Sequence, residues 1–283
     1  MSDESLKSKV VDAAKWSTLT QLITKLITPI STMILARLLV PEEFGVIAMI
    51  TMIVSFTELF TDVGFQKYLI QHEFETKKHF FQSINVAFWT NLVLSFALFL
   101  LIFVFSDHIA SLVGSPDLGH VIVIASIQLP ITSFSSIQLS IFRRNFDFKS
   151  LFKIKLIVAL LPIGMTVPLA YLGFSYWSII ITTIFSTLLN AIILTIKSDW
   201  KPKIYYNFNL LKEMFSYSFW SLLEALSIWA TAWIDIFIIG NIFGEYYTGL
   251  YKNSTNMQIL YFLKVFYTIK TNNITHYRYL LTI

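Results

Sequence analysis

Seven apolar stretches, each close to the length that crosses a bilayer, constrain this chain more than any other feature. They fall at about residues 16–36, 44–63, 82–105, 121–142, 154–172, 176–196 and 216–240. About 20 consecutive apolar residues span the hydrocarbon core as a helix, and lipid leaves a spanning backbone no partner but itself. The pattern therefore predicts an all-α, polytopic helical membrane protein. Composition agrees: of 283 residues, 55% are hydrophobic and only 13% charged. That is too little charge to cover a soluble domain of this size. Between the spans, "PEEFG", "GSPDLG" and "LGFSYW" supply helix-breaking Pro, Gly and Ser. The opening "MSDESLKSKVVDAAK" has no apolar signal core or cleavage site, so insertion is expected to start with the first span.

The basic residues test this topology. The N-terminus and the second, fourth and sixth loops hold fifteen of the 21 Lys and Arg, among them Lys67, Arg143, Arg144 and Lys201. The alternate loops hold Arg37 alone. Because cytoplasmic loops carry the excess of Lys and Arg, this alternation places the N-terminus in the cytoplasm. It also disposes of nucleic acid as a partner, since the positive charge is dispersed between spans rather than gathered in one patch. Membrane lipids are the surface this charge meets.

Chemistry of an enzymatic kind has no motif here. There is no cysteine, the five histidines lack metal-ligand spacing, and no phosphate loop, nucleophile elbow or HExxH occurs. No cofactor is expected, and a coupling ion, H+ or Na+, is left open. Polar residues inside the spans are the informative ones. Thr18, Gln21, Lys25, Thr28 and Thr32 are spaced 3, 4, 3 and 4 and share one helical face. A lysine at mid-bilayer costs about 2.5–3.5 kcal/mol. Lys25 lies nine residues from Trp16, about 13–14 Å along the axis, which its stem spans only in part. A water-filled cavity facing the stripe accounts for it better than snorkelling, and Pro29 allows a bend that shapes such a cavity. Glu58 in the second span is a candidate for pairing with Lys25 or for binding a proton. Asp62 lies one turn on, at the helix end. In the seventh span Ser221, Glu224, Thr231 and Asp235 lie broadly along one side.

An offset of 204 residues brings Trp16 onto Trp220, Ser17 onto Ser221, Ile30 onto Ile234 and Gly45 onto Gly249. The matches are few, yet they point to a parallel internal repeat. Residues 1–199 then form a six-helix lobe. Residues 200–257 hold an interfacial helix over 200–215 and the first helix of a second lobe. Residues 258–283, whose apolar run is broken by Lys264 and Lys270, read as a truncated or frame-shifted tail.

"LARLLVPEEFGVIAM" with "FTELFTDVGFQKYLIQ", "FRRNFDFKSL" and "WIDIFIIGNIFGEYYTGLYKNSTNM" resemble the oligosaccharide flippase (polysaccharide transporter, Wzx-type) family of the multidrug/oligosaccharidyl-lipid/polysaccharide superfamily. The resemblance covers about residues 8–257 and corresponds to one lobe plus about one helix of a two-lobe fold. It implies transfer of a polyprenyl-diphosphate-linked oligosaccharide across the bacterial cytoplasmic membrane during assembly of O-antigen, capsule or exopolysaccharide. Polysaccharide polymerase and glycosyltransferases are the partners it implies. Lys25 would meet the diphosphate, Gln21, Thr28, Thr32, Glu58 and Glu224 would line the cavity, and Arg143 and Arg144 would stand at its cytoplasmic mouth. Topological anchoring already explains both arginines. The rival readings are a multidrug exporter of the same superfamily and an inactive membrane remnant or assembly partner. A membrane-embedded transferase is disfavoured by the missing catalytic clusters.

Overall fold

The computed structural model describes the backbone of residues 3–62 and 64–280, and the side chains of 7–27, 29–61, 64–215 and 219–255. The described residues are almost wholly helical: α1 (Asp3–Leu35), α2 (Pro41–Asp62), α3 (Phe65–Gln71), α4 (Lys77–Leu112), α5 (Gly119–Ser126), α6 (Gln128–Arg144), α7 (Phe148–Leu161), α8 (Val167–Tyr171), α9 (Trp177–Lys197) and α10 (Phe208–Leu280). A 3-10 turn, Pro116–Leu118, precedes α5, and a π-helical turn, Pro162–Thr166, joins α7 to α8. Seven stretches are long and apolar enough to cross a membrane, and each coincides with one of the seven read from the sequence.

The sequence explains where helices begin. At α2 the backbone N–H of Val40 donates to the Glu43 carboxylate at 2.9 Å, while Pro41 gives up an amide that no helix could have used. Glu42 and Glu43 also oppose the positive end of the helix dipole. The Thr76 hydroxyl accepts from His79 N–H to cap α4, and Asp147 caps α7 by accepting from Ser150 N–H.

Two apolar clusters hold the bundle. One gathers Met49, Val121, Ile122 and Leu129 between α2, α5 and α6. The other packs Phe65 and Tyr68 of α3 against Ile84, Phe88, Ile137 and Met214. The first helix sits outside both, resting mainly on α7, where the Trp16 and Phe152 rings lie 5.1 Å apart.

The expected interfacial helix over 200–215 does not form as a unit. Residues 198–207 are non-helical, and the helix that starts at Phe208 runs on into the seventh span. Polar groups of α4 hold the extended segment: Asn85 Oδ1 accepts from Lys203 N–H at 2.8 Å, and Trp89 Nε1–H donates to the Lys203 carbonyl at 3.0 Å. These two bonds satisfy both backbone groups of Lys203 outside a helix.

Within α10 the chain reverses at Gly244, whose φ of 76° and ψ of −168° suit glycine alone. Were the helix unbroken, Asp235 and Tyr251 would stand about 24 Å apart; instead the Tyr251 hydroxyl donates to the Asp235 carboxylate. The second half of α10 therefore folds back along the first. The side chains of the tail read as 258–283 lie outside the described residues.

Candidate functional site

A cavity of about 590 Å³ opens between α1, α2, α6, α7, α9 and α10. Its lining is rich in hydroxyls: Thr24, Ser31 and Thr32 from α1, Thr51 from α2, Thr132 from α6, and Thr182, Thr183, Ser186 and Thr187 from α9, with the amide of Asn190. Several of these hydroxyls, Thr51, Thr182, Thr183 and Thr187 among them, donate to the carbonyl four residues earlier. That local bond uses the proton and leaves the oxygen as an acceptor. These oxygens are the acceptors of a lining that is otherwise mainly apolar, an arrangement that can accept hydrogen bonds from a hydroxyl-bearing ligand.

Two neighbouring cavities extend this polar seam. One of about 540 Å³ lies between α2, α6 and α10 and shares Thr132 and Trp233 with the first. A smaller one of about 110 Å³ shares Thr51 and Thr183 with it. Glu58 lines both neighbours, and its carboxylate is hydrogen-bonded by the Thr132 hydroxyl. Among the described residues lining the three cavities, only Glu58 and Lys252 carry charge.

Lys252 supplies the cation of the main cavity. Its ammonium rests 4.2 Å from the centre of the Trp233 ring, the geometry of a cation–π contact. Sequence reasoning had no signal for this. Lys252 lies beyond the seventh apolar stretch, and only the reversal at Gly244 returns it to the level of Trp233.

The first helix presents a different face from the one its spacing proposed. Thr24, Ile27, Ser31 and Leu35 line the cavity, together with Thr32. Lys25 and Gln21 are exposed on the adjoining face, one residue or about 100° around the helix. The side chain of Thr28 lies outside the described residues. Glu224 is likewise exposed and pairs with Lys67 at 2.7 Å. Lys67 lies outside the spans, which sets the pair at the end of the bundle, so Glu224→Gln is expected to change the unfolding free energy by less than about 1 kcal/mol, read from chemical denaturation in detergent.

The two arginines part company. Arg143 donates to Gln66 Oε1 at 3.3 Å, and Gln66 borders the 540 Å³ cavity. Arg144 instead closes the end of α3. Its Nη1 donates to the carbonyls of Leu69 (2.7 Å), Ile70 (3.2 Å) and His72 (2.9 Å), and its guanidinium lies about 5 Å from both the Phe74 and Phe80 rings.

On the same side, buried Tyr68 donates to Glu213 Oε1 at 2.7 Å, tying α3 to the start of α10. Burial first, then the bond to Glu213 and its negative charge, push the Tyr68 phenol above the usual tyrosine range. A group whose folded pKa is raised stabilises the fold below its unfolded pKa of about 10 and loses that contribution above it. The melting temperature is therefore expected to hold steady through neutral pH and to fall above about pH 10. Tyr68→Phe, followed by thermal unfolding, should blunt that fall and cost about 1–2 kcal/mol at neutral pH.

An all-α, multi-pass membrane bundle whose apolar cavity carries scattered hydroxyls defines a class of protein with an internal chamber in the membrane. The chain belongs to the polysaccharide biosynthesis protein family, whose model matches residues 34–272. It is 25% identical over 237 residues to the succinoglycan biosynthesis transport protein ExoT of Rhizobium meliloti, covering 84% of this chain and 47% of that protein. It is 19% identical over 262 residues to the lipopolysaccharide biosynthesis protein WzxC of Escherichia coli, covering 90% and 52%. It is 22% identical over 263 residues to the teichuronic acid biosynthesis protein TuaB of Bacillus subtilis, covering 92% and 54%. The chain thus spans about half the length of the relatives it matches. No solved structure matches it significantly.

Proposed function

We propose that this chain forms the cargo-binding lobe of a carrier that moves a polyprenyl-diphosphate-linked oligosaccharide from the cytoplasmic to the outer leaflet of the bacterial cytoplasmic membrane. The observation that carries this reading is the main cavity itself: among the described residues its lining sets hydroxyl acceptors and one ammonium, Lys252, into an apolar wall. Sugars meet hydroxyl and amide groups by exchanging hydrogen bonds, and a diphosphate needs a cation inside a low-dielectric wall. The lipid tail stays in the bilayer. The distribution of Lys and Arg supports a cytoplasmic N-terminus.

In this reading Ser31, Thr32, Thr183 and Asn190 bind sugar and Lys252 binds the diphosphate. Lys25, Gln21 and Thr28 serve on the adjoining face of α1. Glu58, held by Thr132 beside the main cavity, is the group placed to take a coupling proton. Arg143 meets the head group at the cytoplasmic mouth, whereas Arg144 belongs to the scaffold. The role is transport rather than bond-making, with glycosyltransferases supplying the cargo and a polymerase consuming it.

The test is complementation. Expressed in a cell lacking its own flippase for a matching lipid-linked saccharide, the protein should restore surface polysaccharide and clear the intermediate that accumulates on the cytoplasmic leaflet. Persistence of that intermediate with the protein present in the membrane would overturn the reading.

A further inference from the structure

Gly45 of α2 and Gly249, in the second half of α10, bring two helices into backbone contact. A β-carbon at Gly45 would overlap the Glu245 carbonyl oxygen. One at Gly249 would overlap the Pro41 carbonyl oxygen and lie 2.9 Å from the Gly45 amide nitrogen. The contact is reciprocal: the 204-residue offset that carries Gly45 onto Gly249 also carries Pro41 onto Glu245. When one residue meets a second while their symmetry mates exchange the same contact, the interface is two-fold. Here that relation operates within a single chain.

The crossing lies at the edge of the main cavity. Phe44 and Ala48, which flank Gly45, line it from α2, and Lys252, three residues beyond Gly249, lines it from α10. Both helices cross within two turns of their starts, at the end remote from the Arg144 side of the bundle. In the topology proposed above, that end faces outward. Backbone packed on backbone leaves no room for water. Inside a bilayer such a contact is held by van der Waals packing between small residues.

We propose that the Gly45–Gly249 crossing is the closed outer gate of the cavity, and that α2 and the second half of α10 part there when the cavity opens outward. The proposal rests on the carrier reading for its purpose and on the reciprocal contact for its place. Packed interfaces of this kind have discrete closed and open arrangements rather than a continuum. A single methyl group at either glycine therefore biases the gate toward open.

The native chain has no cysteine, so one introduced at Ser31, on the cavity wall, is a unique target for a membrane-impermeant thiol reagent. In cells and in inverted vesicles bearing Ser31→Cys, labelling from the outside should be at least about tenfold slower than labelling from the cytoplasmic side. Adding Gly45→Ala or Gly249→Ala should raise the outside rate by about tenfold. The two together should add little, since either one already opens the same contact. Gly164→Ala, whose β-carbon would meet nothing within 4 Å, should leave the rate unchanged.

Equal labelling from both sides in the Ser31→Cys protein would overturn the proposal. So would an unchanged outside rate in glycine variants that accumulate in the membrane. Should those variants fail to accumulate, the sidedness of the Ser31→Cys protein decides alone. Labelling requires no saccharide, so failure of the gate and failure of the polysaccharide reading are separate results.

Discussion

Replacing Lys252 by glutamine is expected, on the carrier reading proposed above, to lower binding of a polyprenyl-diphosphate-linked saccharide about a hundredfold, and export with it. The ammonium is the only cation among the described residues lining the main cavity. Hydrogen bonds to charged groups contribute about 1.5–3 kcal/mol, and each 1.4 kcal/mol is a factor of ten in affinity. Glutamine keeps a donor on a side chain one bond shorter but removes the charge, so the fold should survive while the anion loses its counter-ion. Arginine at the same position keeps both the charge and the stacking on Trp233 and should retain function to within about tenfold. Titration of the purified protein with a polyprenyl diphosphate and with the corresponding neutral alcohol separates the effects. The variant should lose affinity for the former and not for the latter. Equal loss for both would mean that Lys252 supports the cavity wall rather than the charge.

The same titration on Lys25→Gln divides the work between the two lysines. Lys25 is exposed on α1, beside Thr24 of the cavity wall. If the cavity alone holds the anion, loss of Lys25 should change affinity by less than about threefold, a fraction of the charged-contact value.

The contrast between these lysines shows what a linear reading can reach. The seven spans were legible because a bilayer demands about 20 apolar residues wherever it is crossed, and the break at "PEEFG" because Pro41 and Glu43 build a helix start locally. The rotation of α1 was not. Its face 18, 21, 25, 28, 32 and its face 24, 27, 31, 35 both carry hydroxyls and differ by one residue, so periodicity cannot choose between them. The choice falls to packing against α7, which is long-range. Lys252 was hidden for a similar reason: a single left-handed glycine at 244 decides whether it extends away from the bundle or returns to it. The repeat at an offset of 204 rested on a handful of apolar matches. It gains physical content from the reciprocal glycine contact, which no residue comparison along the chain could supply.

Arg144→Ala is expected to destabilise the fold by about 2–4 kcal/mol. A helix ends with carbonyls that have no partner within it, and Arg144 serves three of them at the close of α3. Alanine would strip these carbonyls of a charged donor, and each polar group left buried and unpaired costs about 1–3 kcal/mol. It would also empty the space between Phe74 and Phe80. Lysine should rescue only in part, because an ammonium can serve the carbonyls that Nη1 serves but cannot lie as a flat guanidinium between the Phe74 and Phe80 rings. Arg143→Ala, one residue away, is the informative control. That side chain bonds Gln66 at 3.3 Å beside a cavity, so on the carrier reading its loss should weaken cargo capture more than it weakens the fold. Membrane abundance and thermal unfolding of the two alanine variants would therefore diverge. A normal melting temperature in Arg144→Ala would return this arginine to the cytoplasmic mouth as a contact for cargo.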